Sequence, residues 1–265
     1  MAKVWSEQAE EFLEVMLWGM EKLCSTSLQI LDESFEAWQW RHGWRRQARR
    51  LEDKELIRRE RQAGQLVFQL TELGRLAAYG GRDPEARWQR RWDGQWRMII
   101  FDLPGRQQLV RQRLLRWLRQ NGFGYLQNSV WIHPDPLTRI TDALEEFRDD
   151  VESFTVLESH CCSGYSDAAI VRGAWSFDEI NERYEAHLSQ ANGDLRKALP
   201  SRDGIAELRR RLRQERIAWA NAAAIDPFLP QILLPADYLG QRAWQAHHSV
   251  MSRLVRALVA QSSRP

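Results

Sequence analysis

The residues best suited to chemistry in this sequence are arginines, and they are concentrated in one stretch near the amino terminus. Between Trp38 and Gly64 there are nine lysine or arginine residues against four acidic ones, whereas the whole chain carries a net charge of +2. Arginine presents a planar fork of hydrogen-bond donors that fits phosphate oxygens or the edge of a guanine. This local excess of positive charge therefore favours contact with a polyanion, and double-stranded DNA is the first candidate.

Three helices and a hairpin are predicted to position these arginines. Apolar spacing indicates helices from Ser6, around Ser27 to Phe35, and from Glu36 to Lys54, followed by two strands, Leu56 to Glu60 and Gln65 to Thr71. That order is typical of a winged helix-turn-helix domain, which we assign to residues 1–82. The alternative is a solvated charged face. The candidate DNA contacts are Arg41, Arg45, Arg46, Arg49, Arg50, Arg58, Arg59, Arg61 and Gln62.

The middle of the chain alternates strands and helices after a basic linker at residues 83–92. The strands are predicted in RMIIF (Arg97 to Phe101), YLQNSVWIHP and FTVLES, with helices between them and an edge strand at Ala168 to Arg172. This pattern predicts a ferredoxin-like α+β domain over residues 93–175. From residue 176 to 265 the pattern is helical, in segments at Phe177 to Gln190, Ile205 to Ala223 and Leu239 to Ala260. The fold class is therefore α+β.

Composition and motifs argue against several other classes of protein. With 43% hydrophobic and 28% charged residues the chain is that of a folded protein, and it has neither a secretory signal nor a membrane-spanning run, so we expect a cytoplasmic location. Cysteines 24, 161 and 162 lack the spacing of a zinc site. No catalytic motif, cofactor or metal site is predicted. The histidines at 133, 160, 187, 247 and 248 are expected to be surface or packing residues.

Three separated segments resemble the PaaX-type repressors of phenylacetic acid degradation. They are WDGQWRMIIFDLP (Trp92 to Pro104), GFGYLQNSVWIHP (Gly122 to Pro134) and DPFLPQILLPADYLGQRA (Asp226 to Ala243). In the amino-terminal region the likeness is looser, and Lys54-Glu55 stands where such proteins usually have glycine and an aromatic residue. The resemblance implies a homodimeric repressor that binds a palindromic operator and leaves it when an aryl-CoA thioester such as phenylacetyl-CoA binds. It assigns no ligand-binding residues.

Two alternative functions remain open at the level of sequence. The middle domain is similar to the small CRISPR adaptation nuclease of ferredoxin-like fold, in which an aspartate ends the first strand, and Asp102 stands in the matching place. A single carboxylate is a weak case for a metal-dependent nuclease, because hydrolytic sites gather several oxygen ligands, and Asp102 could equally cap the next helix. The other alternative is a non-enzymatic interaction scaffold.

Overall fold

The computed structural model divides the chain into two compact units. The hairpin unit comprises Met1–Asp83, His187–Ala220 and Arg242–Pro265, and the sheet unit comprises Pro84–Ala186 and Asn221–Gln241. Helices together with two antiparallel sheets confirm the α+β class. The residues that the structure describes are 9, 13, 15–18, 44–62, 65–102, 108–137, 153–160, 164–199 and 204–262.

A helix, a two-stranded hairpin and a second helix follow one another in the hairpin unit. Helix α1 spans Trp44–Asp53, strands β1 and β2 span Ile57–Gln62 and Gln65–Leu70, and helix α2 spans Glu72–Ala78. The two strands pair antiparallel along their whole length, from Ile57 opposite Leu70 to Gln62 opposite Gln65. Two residues therefore connect them, whereas the sequence predicted a connection of four. The helices predicted before residue 44 lie outside the described residues, except for helical positions at 9, 13 and 15–18.

The segment predicted as a linker contains a short helix, α3, at Pro84–Gln89. Trp88 is buried and its indole donates to the hydroxyl of Tyr238 at 3.0 Å. Arg90 makes an ion pair with Asp135, with its Nε 2.8 Å from one carboxylate oxygen, and also donates to the backbone carbonyl of Phe228. Residues 84–90 are therefore anchored within the sheet unit.

A four-stranded antiparallel sheet forms the centre of the sheet unit. Strand β3 spans Trp96–Asp102, helix α4 spans Gln108–Gln120, strands β4 and β5 span Gly124–Gln127 and Val130–His133, and strand β6 spans Ser153–Ser159. The strands lie in the order β4-β5-β3-β6. Numbered along the chain this is 2-3-1-4, the strand order of a ferredoxin-like sheet. Residues 138–152, where the second crossover helix was predicted, lie outside the described residues.

Two predictions of secondary structure in this unit were wrong. YLQNSVWIHP was predicted as a single strand, but it forms the β4-β5 hairpin, in which Asn128 has a φ of 47°. Asparagine tolerates this left-handed conformation and so permits the tight reversal. The predicted edge strand at Ala168 to Arg172 belongs instead to helix α5, Asp167–Ala174, because the side chain of Ser166 caps its amino end by accepting from the amide of Ala169.

Three long helices follow, and they contribute to both units. Helix α6 spans Phe177–Arg196, α7 spans Ile205–Ala222 and α8 spans Gly240–Ser262, which confirms the helical prediction for this region. Helix α6 is longer than predicted. Two short 3-10 turns, Ala223–Ile225 and Gln231–Leu233, lie in the proline-rich segment between α7 and α8. No helix within the described ranges is both long and apolar enough to cross a membrane.

A buried carboxylate fixes the start of that proline-rich segment. One oxygen of Asp226 accepts from the hydroxyls of Tyr184 at 2.5 Å and Tyr238 at 2.6 Å, and the other accepts from the amide of Phe228 at 2.7 Å. Burial and the nearby carboxylate raise the pKa of both tyrosines, so they remain donors at neutral pH. These three bonds hold Phe228 at a φ of 48°, a conformation unusual for an aromatic residue.

The stability of the sheet unit should depend on the protonation of His133. Burial lowers the pKa of this imidazole to about 4, against the opposing effect of Asp135. Because the pKa is lower in the folded than in the unfolded state, the unfolded state takes up the proton first, and stability is lost as the pH falls from about 6.5 towards 4. Between pH 7 and pH 5 this residue should cost about 2 kcal/mol of unfolding free energy.

Urea unfolding of the parent and of His133→Gln at both pH values measures this effect. The difference between the two proteins isolates the histidine from the carboxyl groups that titrate in the same range. An equal loss of stability in both proteins between pH 7 and pH 5 would contradict the assignment.

Candidate nucleic-acid interface

The end of helix α1 sets the direction in which the hairpin leaves it. The amide of Glu55 donates to the carbonyl of Glu52 at 2.8 Å, and the amide of Leu56 donates to the carbonyl of Leu51 at 2.9 Å. This pair of bonds is a Schellman motif, whose turning residue needs a left-handed backbone. Glu55 adopts it, with a φ of 58°. The left-handed residue thus lies within the pair Lys54-Glu55, which stands where the resembling proteins have glycine and an aromatic residue.

Helix α2 is tied to the same corner through Thr71 and Gly74. The Thr71 hydroxyl accepts from the Gly74 amide at 2.9 Å, which confirms the predicted helix cap, and it donates to the carbonyl of Glu55 at 2.7 Å. The Thr71 amide donates to the carbonyl of Leu56 at 3.0 Å. A Cβ on Gly74 would lie 1.8 Å from that carbonyl oxygen, so only glycine allows this approach. Helix α1, the hairpin and helix α2 thus meet at one point.

Arg49 and Arg50 are the predicted DNA contacts that the structure leaves most available. Both lie in the last turns of α1 with exposed side chains, while Ala48 and Leu51 on either side are buried. Neither arginine forms an ion pair with any residue in the described part of the chain. The apolar residues therefore fix the rotation of the helix so that these two guanidinium groups face solvent.

Arg58 and Arg59 on strand β1 are exposed but have partners within the unit. Arg58 lies 2.9 Å from a carboxylate oxygen of Glu60. Arg59 lies 2.6 Å from a carboxylate oxygen of Glu52, and its guanidinium stands over the ring of Phe68 at 5.3 Å. Exposed ion pairs of this kind contribute at most about 1 kcal/mol, so a phosphate could replace the carboxylate partner.

For the remaining predicted DNA contacts, the structure describes either the backbone position alone or nothing. Arg45 and Arg46 lie in α1, and Arg61 and Gln62 end strand β1, but their side chains are outside the description. Arg41 precedes the described part of α1. Asp102 ends β3 as the sequence predicted, opposite Ser153, and its side chain is likewise undescribed.

Sequence reasoning missed a cluster of ionisable side chains inside the hairpin unit. His187 on α6 and His247 on α8 were expected to be scattered packing residues, but both approach Glu215 on α7. The Nε2 of His187 lies 2.8 Å, and the Nδ1 of His247 2.9 Å, from the same carboxylate oxygen. The three residues come from three helices and are far apart in the chain, so spacing could not reveal them. Within the described part of the chain they are the one such group suited to holding a metal ion.

Electrostatics keep the carboxyl group of this cluster ionised. Burial alone would raise the pKa of Glu215, but the hydrogen bonds from His187 and His247 outweigh burial and lower that pKa to about 2. Burial lowers the pKa of His247. The group thus combines a buried, ionised carboxylate with the imidazole of His247, whose charged form burial disfavours.

Comparisons with known proteins bear on the sheet unit and the carboxy-terminal helices. A family model described as the PaaX protein central Cas2-like domain matches residues 89–171, and one described as the PaaX-like protein C-terminal domain matches residues 175–262. A solved structure, the uncharacterized protein Rv0674 from Mycobacterium tuberculosis, is similar with a TM-score of 0.52 and 20% identity, over 97% of this chain and 99% of that one. At this identity the likeness shows the fold alone. No curated protein matches the chain.

Replacing Glu55 with glycine should stabilise the corner that carries the arginines. A residue with a Cβ loses about 1–2 kcal/mol in the left-handed region, and the greater freedom of glycine in the unfolded chain offsets part of this gain. We therefore expect Glu55→Gly to raise the free energy of local opening by roughly 0.5–1 kcal/mol. Hydrogen exchange of the Leu56 and Thr71 amides in the full chain measures this opening.

Glu55→Ala is the matched control, because it removes the same carboxylate but keeps a Cβ. If the alanine variant protected these amides as well as the glycine variant does, loss of charge rather than backbone strain would explain the change.

Proposed function

The chain belongs to the PaaX-type family of regulators, and from this premise we propose that it is a homodimeric, cytoplasmic transcriptional repressor. It binds the operator of an aromatic-acid catabolic operon and leaves the DNA when an aryl-CoA thioester such as phenylacetyl-CoA binds. The family match supports the regulatory role, and the effector class is what the resemblance to the repressors of phenylacetic acid degradation implies. The proposal includes a winged helix-turn-helix formed by the helices that the sequence predicts before residue 44 together with α1, β1, β2 and α2.

The exposure of Arg49 and Arg50 is the observation that carries the proposal of DNA binding. A helix that enters the major groove must present unpaired donors on one face and pack its other face against its own domain. Ala48 and Leu51 supply the packed face, and the two arginines supply the donors. Arginine at such a position reads guanine through two hydrogen bonds or clamps a phosphate.

The hairpin suits a second role, that of gripping the sugar-phosphate backbone. Arg58 and Arg59 follow directly from the corner at Leu56, so the direction of α1 sets their position relative to Arg49 and Arg50. Their acidic partners, Glu60 and Glu52, compete with phosphate for them. We therefore assign α1 to sequence recognition and the hairpin to general affinity.

A dimer explains how one such helix per chain reaches useful specificity. Two symmetry-related copies of α1 would occupy successive major grooves, about 34–36 Å apart, and would require an inverted repeat in the operator. An aryl-CoA releases the DNA only if it binds more tightly to an arrangement that spaces these helices wrongly. We assign no catalytic role to Asp102.

Removing Arg49 and Arg50 should weaken binding to the DNA upstream of the gene. In Arg49→Ala/Arg50→Ala, each lost phosphate contact reduces the salt slope by about one unit, and each lost base contact costs roughly 1–3 kcal/mol. Arg58→Ala/Arg59→Ala should lower the affinity for all sequences alike. Fluorescence anisotropy with specific and scrambled duplexes, over a range of salt concentrations, measures both effects.

The control for lost charge is Arg111→Ala/Arg116→Ala, two exposed arginines of α4 in the sheet unit. Operator affinity and salt slope that fall equally in this control and in the α1 variant would contradict the assignment of α1. Cleavage of the duplex with added Mn²⁺, if lost in Asp102→Ala, would favour the nuclease instead.

The effector should bind the free protein more tightly than the protein on its operator. Reversing a population from 99:1 to 1:99 requires about a 10⁴-fold preference, roughly 5.5 kcal/mol, and linkage imposes the same factor on both ligands. Calorimetric titration of phenylacetyl-CoA, free CoA and phenylacetate into both forms tests this. We expect only the thioester to bind, at micromolar concentration, about −8 kcal/mol. Equal affinity for both forms would contradict this mechanism of release.

A further inference from the structure

We propose that His187, Glu215 and His247 form a binding site for a divalent transition-metal ion of the zinc class inside the hairpin unit. The three side chains are buried, with exposed fractions of 1%, 0% and 5%. Their ligand atoms all lie within 4.8 Å of one another. Two imidazoles and one carboxylate are a ligand set that zinc uses in proteins.

The distances between the ligand atoms suit insertion of an ion. Zinc binds nitrogen at about 2.0–2.1 Å and carboxylate oxygen at about 2.0–2.2 Å, which places neighbouring ligands of a tetrahedral site about 3.3 Å apart. The His187 Nε2 and His247 Nδ1 atoms already lie 2.8 and 2.9 Å from one Glu215 oxygen. Small outward shifts of the side chains on three separate helices would therefore open the tetrahedral spacing.

The hydrogen bonding of Glu215 is incomplete without a cation. One carboxylate oxygen receives both imidazoles, and no donor among the described residues reaches the other, Oε2, although it is buried. A buried ionised carboxylate with an unpaired oxygen is costly, and a bound cation is one of the few groups that can satisfy it. The Nδ1 of His187 is also without a partner in the described residues, so it is able to carry the proton when Nε2 binds the ion.

The ligand types favour zinc, cobalt, nickel or copper over magnesium or calcium. Imidazole nitrogen is a preferred ligand of the later transition metals, whereas magnesium and calcium select oxygen ligands. Binding requires each imidazole to be unprotonated at the nitrogen that coordinates the ion.

Aromatic side chains surround the site, and the fluorescence of its tryptophans provides a way to measure metal binding. The indole of Trp219 stacks on His247 with ring centroids 5.1 Å apart, and the rings of Trp18 and Trp244 each lie 5.5 Å from the same imidazole. Tyr79, which directly follows α2, packs on Trp18 at 6.2 Å and on Trp244 at 5.3 Å. An ion at this site would cross-link α6, α7 and α8 close to Tyr79, the residue that follows α2.

Metal titration of the full chain tests the proposal. Protein treated with a chelator and then dialysed against zinc should hold one zinc ion per chain, and Co²⁺ should give visible absorption and quench tryptophan fluorescence with saturation at one equivalent. Glu215→Gln should weaken Co²⁺ binding at least tenfold, whereas His248→Gln, the adjacent histidine on α8, should leave it unchanged. Parent protein that binds no zinc after this treatment would overturn the proposal.

A cysteine substitution identifies the ligand even where a histidine variant folds poorly. In a chain lacking the cysteines at 24, 161 and 162, His187→Cys should bind Co²⁺ and add a thiolate-to-cobalt charge-transfer band. This background also tests the vicinal cysteines beside His160 as the source of binding. Loss of zinc on removal of the three cysteines, or a cobalt complex of His187→Cys without the thiolate band, would place the metal elsewhere and refute the site.

Discussion

The carbonyl oxygen of Leu56 is the point on which the arrangement of α1, the β1-β2 hairpin and α2 depends. It follows the left-handed residue that ends α1, it accepts from the amide of Thr71, and it lies against Gly74 so closely that any side chain there would collide with it. Helix α1, the hairpin and helix α2, which follow one another in the chain, are held together by this contact. Because Arg49 and Arg58 lie on either side of it, their relative direction is a property of the backbone rather than of flexible side chains.

In the sheet unit, buried charged side chains hold separate segments of the chain together. The guanidinium of Arg97 on β3 is buried and lies 2.5 Å from a carboxylate oxygen of Asp93 and 3.2 Å from one of Glu158, and it also donates to the carbonyl of Pro134. Asp226 collects two tyrosine hydroxyls and an amide in a comparable way. Each network would cost free energy if one partner were missing, so together they specify one arrangement of the chain.

The sequence predicted structure that depends on neighbouring residues well, but it did not predict contacts between residues that are far apart in the chain. Thr71 was predicted to cap a helix ending at Gly80, and both features are present because neighbouring residues determine them. The Asn128 turn was missed because apolar residues on both sides of it resemble one continuous strand. The grouping of His187, Glu215 and His247 depends on how three helices pack, and the spacing of these residues in the sequence does not indicate how the helices pack. The arginines of α1 were recognisable from charge, but their exposure required the burial of Ala48 and Leu51 to be known.

The central claim is that this chain recognises a DNA sequence through helix α1 as a symmetric dimer. Selection of bound duplexes from a random pool, followed by sequencing, tests that claim and does not require the operator sequence to be known. The account predicts enrichment of an inverted repeat whose half-sites are centred about one helical turn, 10–10.5 base pairs, or a multiple of it apart. A pool that remains random, or enrichment of a single site without symmetry, would contradict it.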